Sequence, residues 1–196
     1  DHGISVFPAE RGGKRPAFHL VPTWEPYKSR LPTTEELEGW YGHLHDTSGA
    51  LSDSGDPGDR ASRSMVLGPP ALNLAVVGGV VSLNLVVLDF DDIAWAEDFL
   101  VHEHLMGRSW LVETPRGGRH LYLRTDKPVG CGGFGVAMQV KGEGGYVIAP
   151  PSWNEGRQGY YRWLQRDMLA YVPAEALRKA LSDLCERMGY EDTAKP

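Results

Sequence analysis

Cysteine is scarce in this chain: Cys131 and Cys185 are its only two, and they do not form a Cys-x-x-Cys spacing. That scarcity excludes a disulfide framework and a cysteine-built zinc site, and it suits a reducing cytoplasm. No apolar run is long enough to span a membrane and no signal-peptide pattern is present, so a soluble, cytoplasmic protein without a membrane partner is expected. Positive charge is also in short supply. The formal net charge of -6 excludes a protein that coats nucleic acid nonspecifically. What is present is 41% hydrophobic residues over 196 positions, enough for one sizeable core, or for a core and a small lobe.

The charge is unevenly spread. Residues 71–100 contain five acids and no Lys or Arg, whereas 108–127 contain Arg108, Arg116, Arg119, Arg124 and Lys127 against two acids. An acidic cluster beside a basic one suits metal ions and phosphates meeting in one cleft. The acidic cluster follows the apolar run Leu85-Val86-Val87-Leu88, which reads as a buried strand ending in Asp89-Phe90-Asp91-Asp92. Alternation puts Asp89 and Asp91 on one face, about 7 Å apart along the backbone, with Phe90 turned into the core. Two carboxylates so placed can share an oxygen-loving divalent ion such as Mg²⁺ or Mn²⁺. The plainer reading of the same residues is a strand followed by an acidic helix cap, with Asp92 capping a helix that begins near Ile93.

Elsewhere the pattern is of short elements. Ile4 to Phe7 predicts a strand, followed by a glycine turn that leaves Lys14 and Arg15 exposed as candidate phosphate or nucleic-acid contacts. Pro32 to Tyr41 predicts a helix capped by Thr33 and Glu36, with Leu37, Trp40 and Tyr41 on its apolar face. Residues 42–70 are rich in Gly, Ser, Asp and Pro and predict a long mobile loop. That loop contains His43-Leu44-His45. A His-hydrophobic-His pair on a strand is the metal-binding motif of replication-initiator nucleases, but here the pair follows a helix and enters a loop, so surface histidines are expected. Asn73 to Gly79 and Leu83 to Leu88 read as hairpin partners, and Ile93 to Met106 as a helix whose apolar residues include Ile93. Trp110 to Glu113 predicts a strand, and Thr114 to Gly118 a tight basic turn containing Arg116. Next, Arg119 to Arg124 alternates strictly, with His120, Tyr122 and Arg124 on one face, a face too polar for a core. Ala137 to Lys141 and Gly145 to Ala149 read as a strand pair joined by Gly142-Glu143-Gly144, Tyr160 to Leu164 as an edge strand, and Pro173 to Met188 as a terminal helix ended by Gly189.

Three stretches together resemble a known family, the primase-polymerase domains of the archaeo-eukaryotic primase superfamily found in plasmid, phage and mobile-element replication proteins. They are Val87-Leu88-Asp89-Phe90-Asp91, Gly117-Gly118-Arg119-His120-Leu121-Tyr122, and Val140 through Ser152. Gly13 to Pro16 and Pro32 to Leu37 look like the family's N-terminal lead-in. The resemblance implies an α+β fold with a catalytic core of the RNA-recognition-motif type and a smaller N-terminal αβ unit that together form a cleft. On this reading 1–196 is one domain: an N-terminal unit over 1–70, a catalytic core over 71–165 and a closing helix over 173–189. It implies that Asp89 and Asp91 bind Mg²⁺ or Mn²⁺ and that His120 contacts the incoming nucleotide's phosphates. Arg119 and Lys141 are added as nucleotide contacts by sign and neighbourhood, and Lys14, Arg15 and Arg116 as nucleic-acid contacts. The implied partners are nucleoside triphosphates, a single-stranded DNA template with its primer, and a helicase domain in a longer protein.

One position departs from the family's pattern. Two residues before the Lys/Arg-Gly turn of the third stretch the family usually has an acid, and this chain has Gln139. A neutral amide can offer a metal an oxygen but supplies neither negative charge nor a base. Either the site works with two aspartates and another acid, Glu113 or Glu143 being nearest, or it is attenuated. Two functions therefore stand open: a template-directed nucleotidyltransferase that makes or extends primers, and a nucleotide- or DNA-binding module on the same fold.

Overall fold

In chain order the elements are β1 (Val6–Ala9), α1 (Thr34–Tyr41), β2 (Asn73–Val77), β3 (Leu85–Phe90), α2 (Ile93–His102), β4 (Leu111–Glu113) and β5 (Arg119–Arg124). They continue with β6 (Gly132–Phe134), β7 (Met138–Lys141), β8 (Tyr146–Ala149), β9 (Trp153–Asn154), β10 (Gly159–Tyr160), β11 (Arg162–Gln165), β12 (Ala170–Tyr171) and α3 (Ala174–Arg187). The computed structural model describes residues 3–42, 71–105, 107–166 and 168–190; the expected loop, with His43 and His45, lies outside the described residues from position 43 on.

These elements make a mixed α+β fold. The larger sheet has the order β11-β4-β5-β3-β7-β6, with β12 running parallel to the end of β5 that the shorter β4 leaves free. The second sheet is antiparallel, in the order β1-β2-β8. A third, two-stranded ribbon joins β9 and β10.

β3 lies at the centre, paired antiparallel to β5 on one edge and β7 on the other. Its apolar run is unbroken because both faces are covered, as expected of a strand between two layers. Val86, Leu88 and Phe90 pack with Trp95, Phe99 and Leu100 of α2 and with Leu177, Leu181 and Leu184 of α3. Leu85 and Val87 pack toward the second sheet, against Phe7, Val77 and Ile148. Each such leucine taken out of water contributes about 2 kcal/mol, so the two-sided burial pins β3.

The helices follow from local signals. The α1 capping box is present: the Glu36 amide donates to Thr33 Oγ1 and the Thr33 amide to the Glu36 carboxylate. Trp40 and Tyr41 of α1 turn inward, Trp40 onto Tyr27 and the Tyr41 hydroxyl onto the Asn73 carbonyl, but Leu37 is exposed. Asp92 caps α2 by accepting the Ala94 amide at 2.9 Å. That cap sets the helix phase so that Trp95, Ala96, Phe99 and Leu100 face the sheet, leaving Ile93 exposed, contrary to its expected place. α2 also ends at His102 rather than Met106, because His104 takes a positive φ of 53° that breaks the helix.

Two expected hairpins do not form. β2 and β3 meet at the bridge between Gly79 and Leu85 but belong to different sheets, and β7 and β8 likewise belong to different sheets. The connections are short, but they pass between layers, and glycine makes the crossing possible. A Cβ on Gly78 would stand 2.6 Å from the Gly142 carbonyl oxygen, and one on Gly142 would stand 1.9 Å from that of Val129. The face of β5 carrying His120 and Tyr122 is likewise buried rather than open, because the second sheet covers it.

Gly118, in the turn before β5, fixes how that strand meets β3, since a Cβ there would lie 2.2 Å from the Phe90 carbonyl oxygen. Backbone cannot yield as a side chain can. Gly118→Ala is therefore expected to lower stability by about 2 kcal/mol or more, read as a fall in the urea midpoint; an unchanged midpoint would show that the β3–β5 contact has slack.

Candidate active site

Antiparallel pairing places His120 on β5, Asp89 on β3 and Gln139 on β7 in one row across three strands, so their side chains leave the same face. One same-face step back along β3, Val87 lies between Tyr122 and Lys141. Past the end of β3 the amides of Asp91 and Asp92 both donate to the Ala137 carbonyl, at 2.9 and 3.0 Å, which keeps Asp91 beside β7. Helix capping falls to Asp92 alone. Asp89 and Asp91 are thus left to face a cleft.

The cleft has three connected parts. A small lobe of about 130 Å³ is lined by polar groups, among them Lys14, Thr114, Arg116, Asn154 and Tyr161, around Asp89, Asp91 and His120. A larger lobe of about 330 Å³ shares Lys14, Asp89, Asp91 and His120 and adds Gln139 and Lys141 beside the less polar Trp24, Tyr146 and Ile148. An open trough continues past Asp91 and Gln139 toward Arg116, Val136 and Arg157.

The wall bearing Lys14 is held by the fold's buried asparagine. Asn73 donates to the carbonyls of Gly13 at 2.9 Å and Trp153 at 2.7 Å and accepts the Trp153 amide at 2.9 Å. The Glu155 amide donates to the Gly12 carbonyl, and the Tyr146 hydroxyl to that of Lys14. Gly12 takes a φ of +73° here, a conformation that glycine adopts without strain.

Charge inside the cleft is balanced locally. His120, only 3% exposed, places Nε2 at 3.2 Å from the Asp89 carboxylate, itself 13% exposed. Burial alone pushes the Asp89 carboxyl up, but the His120 hydrogen bond and charge, with Lys14 and Lys141 behind them, hold it below the usual carboxylate range. Lys141 Nζ donates to Gln139 Oε1. Burial, with the Asp89 charge acting in the same direction, pushes the Tyr161 hydroxyl up to about 12, so at neutral pH it is a neutral hydrogen-bonding group on the cleft wall.

Among the expected site residues, the fold brings Lys14, Asp89, Asp91, Arg116, His120, Gln139 and Lys141 to the cleft. Arg15 and Arg119 are not brought there. Arg119 follows the opposite alternation from His120, and its guanidinium turns back onto the carbonyls of Gly117 and Gly118 and onto Glu113. Neither of the two nearest acids joins the row at Gln139: Glu113 lies on the Arg119 side, and Glu143 accepts the Val80 amide at 2.8 Å. Residue-by-residue reading missed Trp24, Tyr146, Asn154, Arg157 and Tyr161. The only signal for the last three was their position just after Pro150-Pro151-Ser152, where the chain turns back over the cleft.

Residues 1–177 match the family model described as the bifunctional DNA primase/polymerase, N-terminal domain. The chain belongs to this Prim-Pol family. None of the curated proteins matches it. Prim-Pol membership makes this a DNA primase/polymerase-type domain, in a family that binds nucleotides and DNA and generally uses divalent metals. Among the described residues no three His, Cys, Asp or Glu side chains form a ready-made cation cage, and no helix is long and apolar enough to cross a membrane. The donor set nonetheless fits such an ion: two carboxylates and one amide oxygen suit Mg²⁺, which usually takes one or two carboxylates and completes its shell with water and substrate phosphate.

The Asp89–His120 pair has a pH signature. A depressed carboxylate pKa contributes stability above the unfolded pKa, and that stability is lost as pH falls through the folded value. In a His120→Ala chain the burial remains while the partner is gone, so the Asp89 titration should move to higher pH and the stability it contributes should shrink. Carboxyl-carbon NMR of the metal-free chain would record the shift, and an unmoved Asp89 midpoint would show that His120 does not set its charge.

Proposed function

We propose that this chain is a template-directed nucleotidyltransferase that extends, or starts, primers on single-stranded DNA. The observation that supports it best is the row His120–Asp89–Gln139, with Asp91 beside it and Lys14 and Lys141 facing the same cleft, in a chain of the Prim-Pol family. The seven-stranded sheet with α2 and α3 on one face is read as the recognition-motif-type core over 71–165, with α3 as the closing helix over 173–189. β1 and α1 belong to the smaller N-terminal unit across the cleft.

On this reading the small polar lobe takes the triphosphate and the larger, partly aromatic lobe takes the sugar and base. Lys14 and Arg116 offer the phosphates positive charge, and the Thr114, Asn154 and Tyr161 side chains offer hydrogen bonds. Asp89 and Asp91 would hold Mg²⁺ or Mn²⁺. The ion, when bound, neutralises developing charge on the triphosphate and activates the primer 3′-hydroxyl. His120 keeps Asp89 ionised and aimed, a positioning task that its near-complete burial suits better than direct phosphate contact. A bond forms between the primer 3′-oxygen and the α-phosphorus, and the bond to pyrophosphate breaks. The partners are then nucleoside triphosphates, template and primer. A helicase domain in a longer protein, and work in plasmid or mobile-element replication, extend the same proposal.

Primer extension with Mn²⁺ tests it. Asp89→Asn or Asp91→Asn should each slow extension by about a hundredfold or more, since each ~1.4 kcal/mol of lost transition-state stabilisation is tenfold. Extension that is undiminished in both variants would overturn the assignment.

A weakened site is favoured by one observation, the engagement of Gln139 by Lys141 where the family usually has an acid. Gln139→Glu should therefore raise the single-turnover extension rate, by about tenfold for each ~1.4 kcal/mol that the restored carboxylate supplies. No increase would mean that Gln139 is not a missing ligand position.

A further inference from the structure

The trough beyond Asp91 shares Asp91, Arg116 and Gln139 with the lobes that take the nucleotide. On its own side are Arg157 and the turn at Gly135 and Val136 between β6 and β7. At about 760 Å³ it is the widest part of the cleft.

Two of its side chains are guanidiniums. Several cations elsewhere are ion-paired, as Lys28 is with Glu25, Arg30 with Glu36, Lys179 with Asp183 and Arg187 with Asp98. Arg116 and Arg157 have no ion-pair partner among the described residues, although both overlook the acidic end of β3. Val136, which also lines the trough, is 94% exposed, the most exposed large hydrophobic side chain among the described residues. Among the described residues no aromatic side chain lines the trough, so they offer no stacking platform for an unpaired base. Arg157, a guanidinium that the nucleotide lobes do not share, and an apolar tip suit a sugar–phosphate backbone.

In-line phosphoryl transfer fixes which strand that is. The attacking oxygen must approach the α-phosphorus from the side opposite the leaving pyrophosphate. With the triphosphate in the small lobe and the sugar and base in the larger one, the trough is the further open approach, and it reaches the site at Asp91. We propose that this trough seats the sugar–phosphate backbone at the 3′ end of the primer strand, with Arg157 contacting its phosphates and Val136 bearing on its terminal sugars. The assignment rests on the proposed polymerase reading and adds to it a primer site with residues of its own.

Fluorescence anisotropy with a labelled primer–template DNA, over a range of salt concentrations, tests this assignment. Two controls accompany it: the template strand alone, and Mn²⁺-dependent nucleotide binding. Arg157→Ala should weaken primer–template binding about fivefold and lower the salt slope by about one, as expected when one phosphate contact is lost. Val136→Asp, which adds a negative charge to the trough, should weaken it in the same direction, and Arg157→Lys should restore most of the affinity. Nucleotide binding and binding of the template alone should be unaffected. Unchanged primer–template affinity in both Arg157→Ala and Val136→Asp would overturn the trough while leaving the polymerase reading intact, and an equal loss for the template alone would overturn the choice of strand. If the unaltered chain bound no primer–template at all, the polymerase reading would fail with it.

Discussion

A slip of β3 by one residue against either neighbour would turn Asp89 out of the cleft and Leu88 into it. The register of β5, β3 and β7 is therefore the constraint on which the rest of the site depends. Burial on both faces enforces it: Val86, Leu88 and Phe90 fit the helices, and Leu85 and Val87 fit the second sheet. Slipping the strand would bury a carboxylate among the helices and expose leucine to the cleft, two costs that add. Chemistry at the strand end is thus aligned by packing that takes no part in it.

The same burial creates an electrostatic demand. A carboxylate as enclosed as Asp89 is costly to keep ionised without partners. His120 meets that demand directly, and Lys14 and Lys141 add to it from opposite sides of the cleft. The negative charge at the end of β3 is thus compensated within the cleft by His120, Lys14 and Lys141. Gln139 fits this balance. By accepting from Lys141 it holds that ammonium in place while adding no negative charge of its own.

Much of this was legible in the sequence because it is local. The strict alternation of Arg119 to Arg124 gave β5 its bounds, the Thr33 and Glu36 pair announced α1, and Pro173 and Gly189 marked the two ends of α3. Choice of strand partner was not legible. Short glycine-containing connections at Gly78-Gly79 and Gly142 look like hairpin turns, yet the glycines serve close crossings between layers, and that need comes from distant carbonyls. The buried polar face of β5 was misread for the same reason, since only the second sheet, built from β1, β2 and β8, shows that it is covered. Within the candidate site, the residues on β3, β5 and β7 were readable from alternation. Tyr161, Asn154 and Arg157 were not, because they reach the cleft through the packing of residues 153–161 against the Gly12-Gly13 turn.

Where the metal-bound nucleotide lies is the decisive question for this cleft. Crystals of the chain grown with Mn²⁺ and a non-hydrolysable nucleoside triphosphate, measured at a wavelength where manganese scatters anomalously, would locate it directly. The expected result is an anomalous peak within coordination distance, about 2.1 Å, of carboxylate oxygens of Asp89 and Asp91, with the triphosphate in the lobe walled by Lys14 and Arg116. Manganese bound away from both aspartates, or a nucleotide seated outside the cleft, would contradict it.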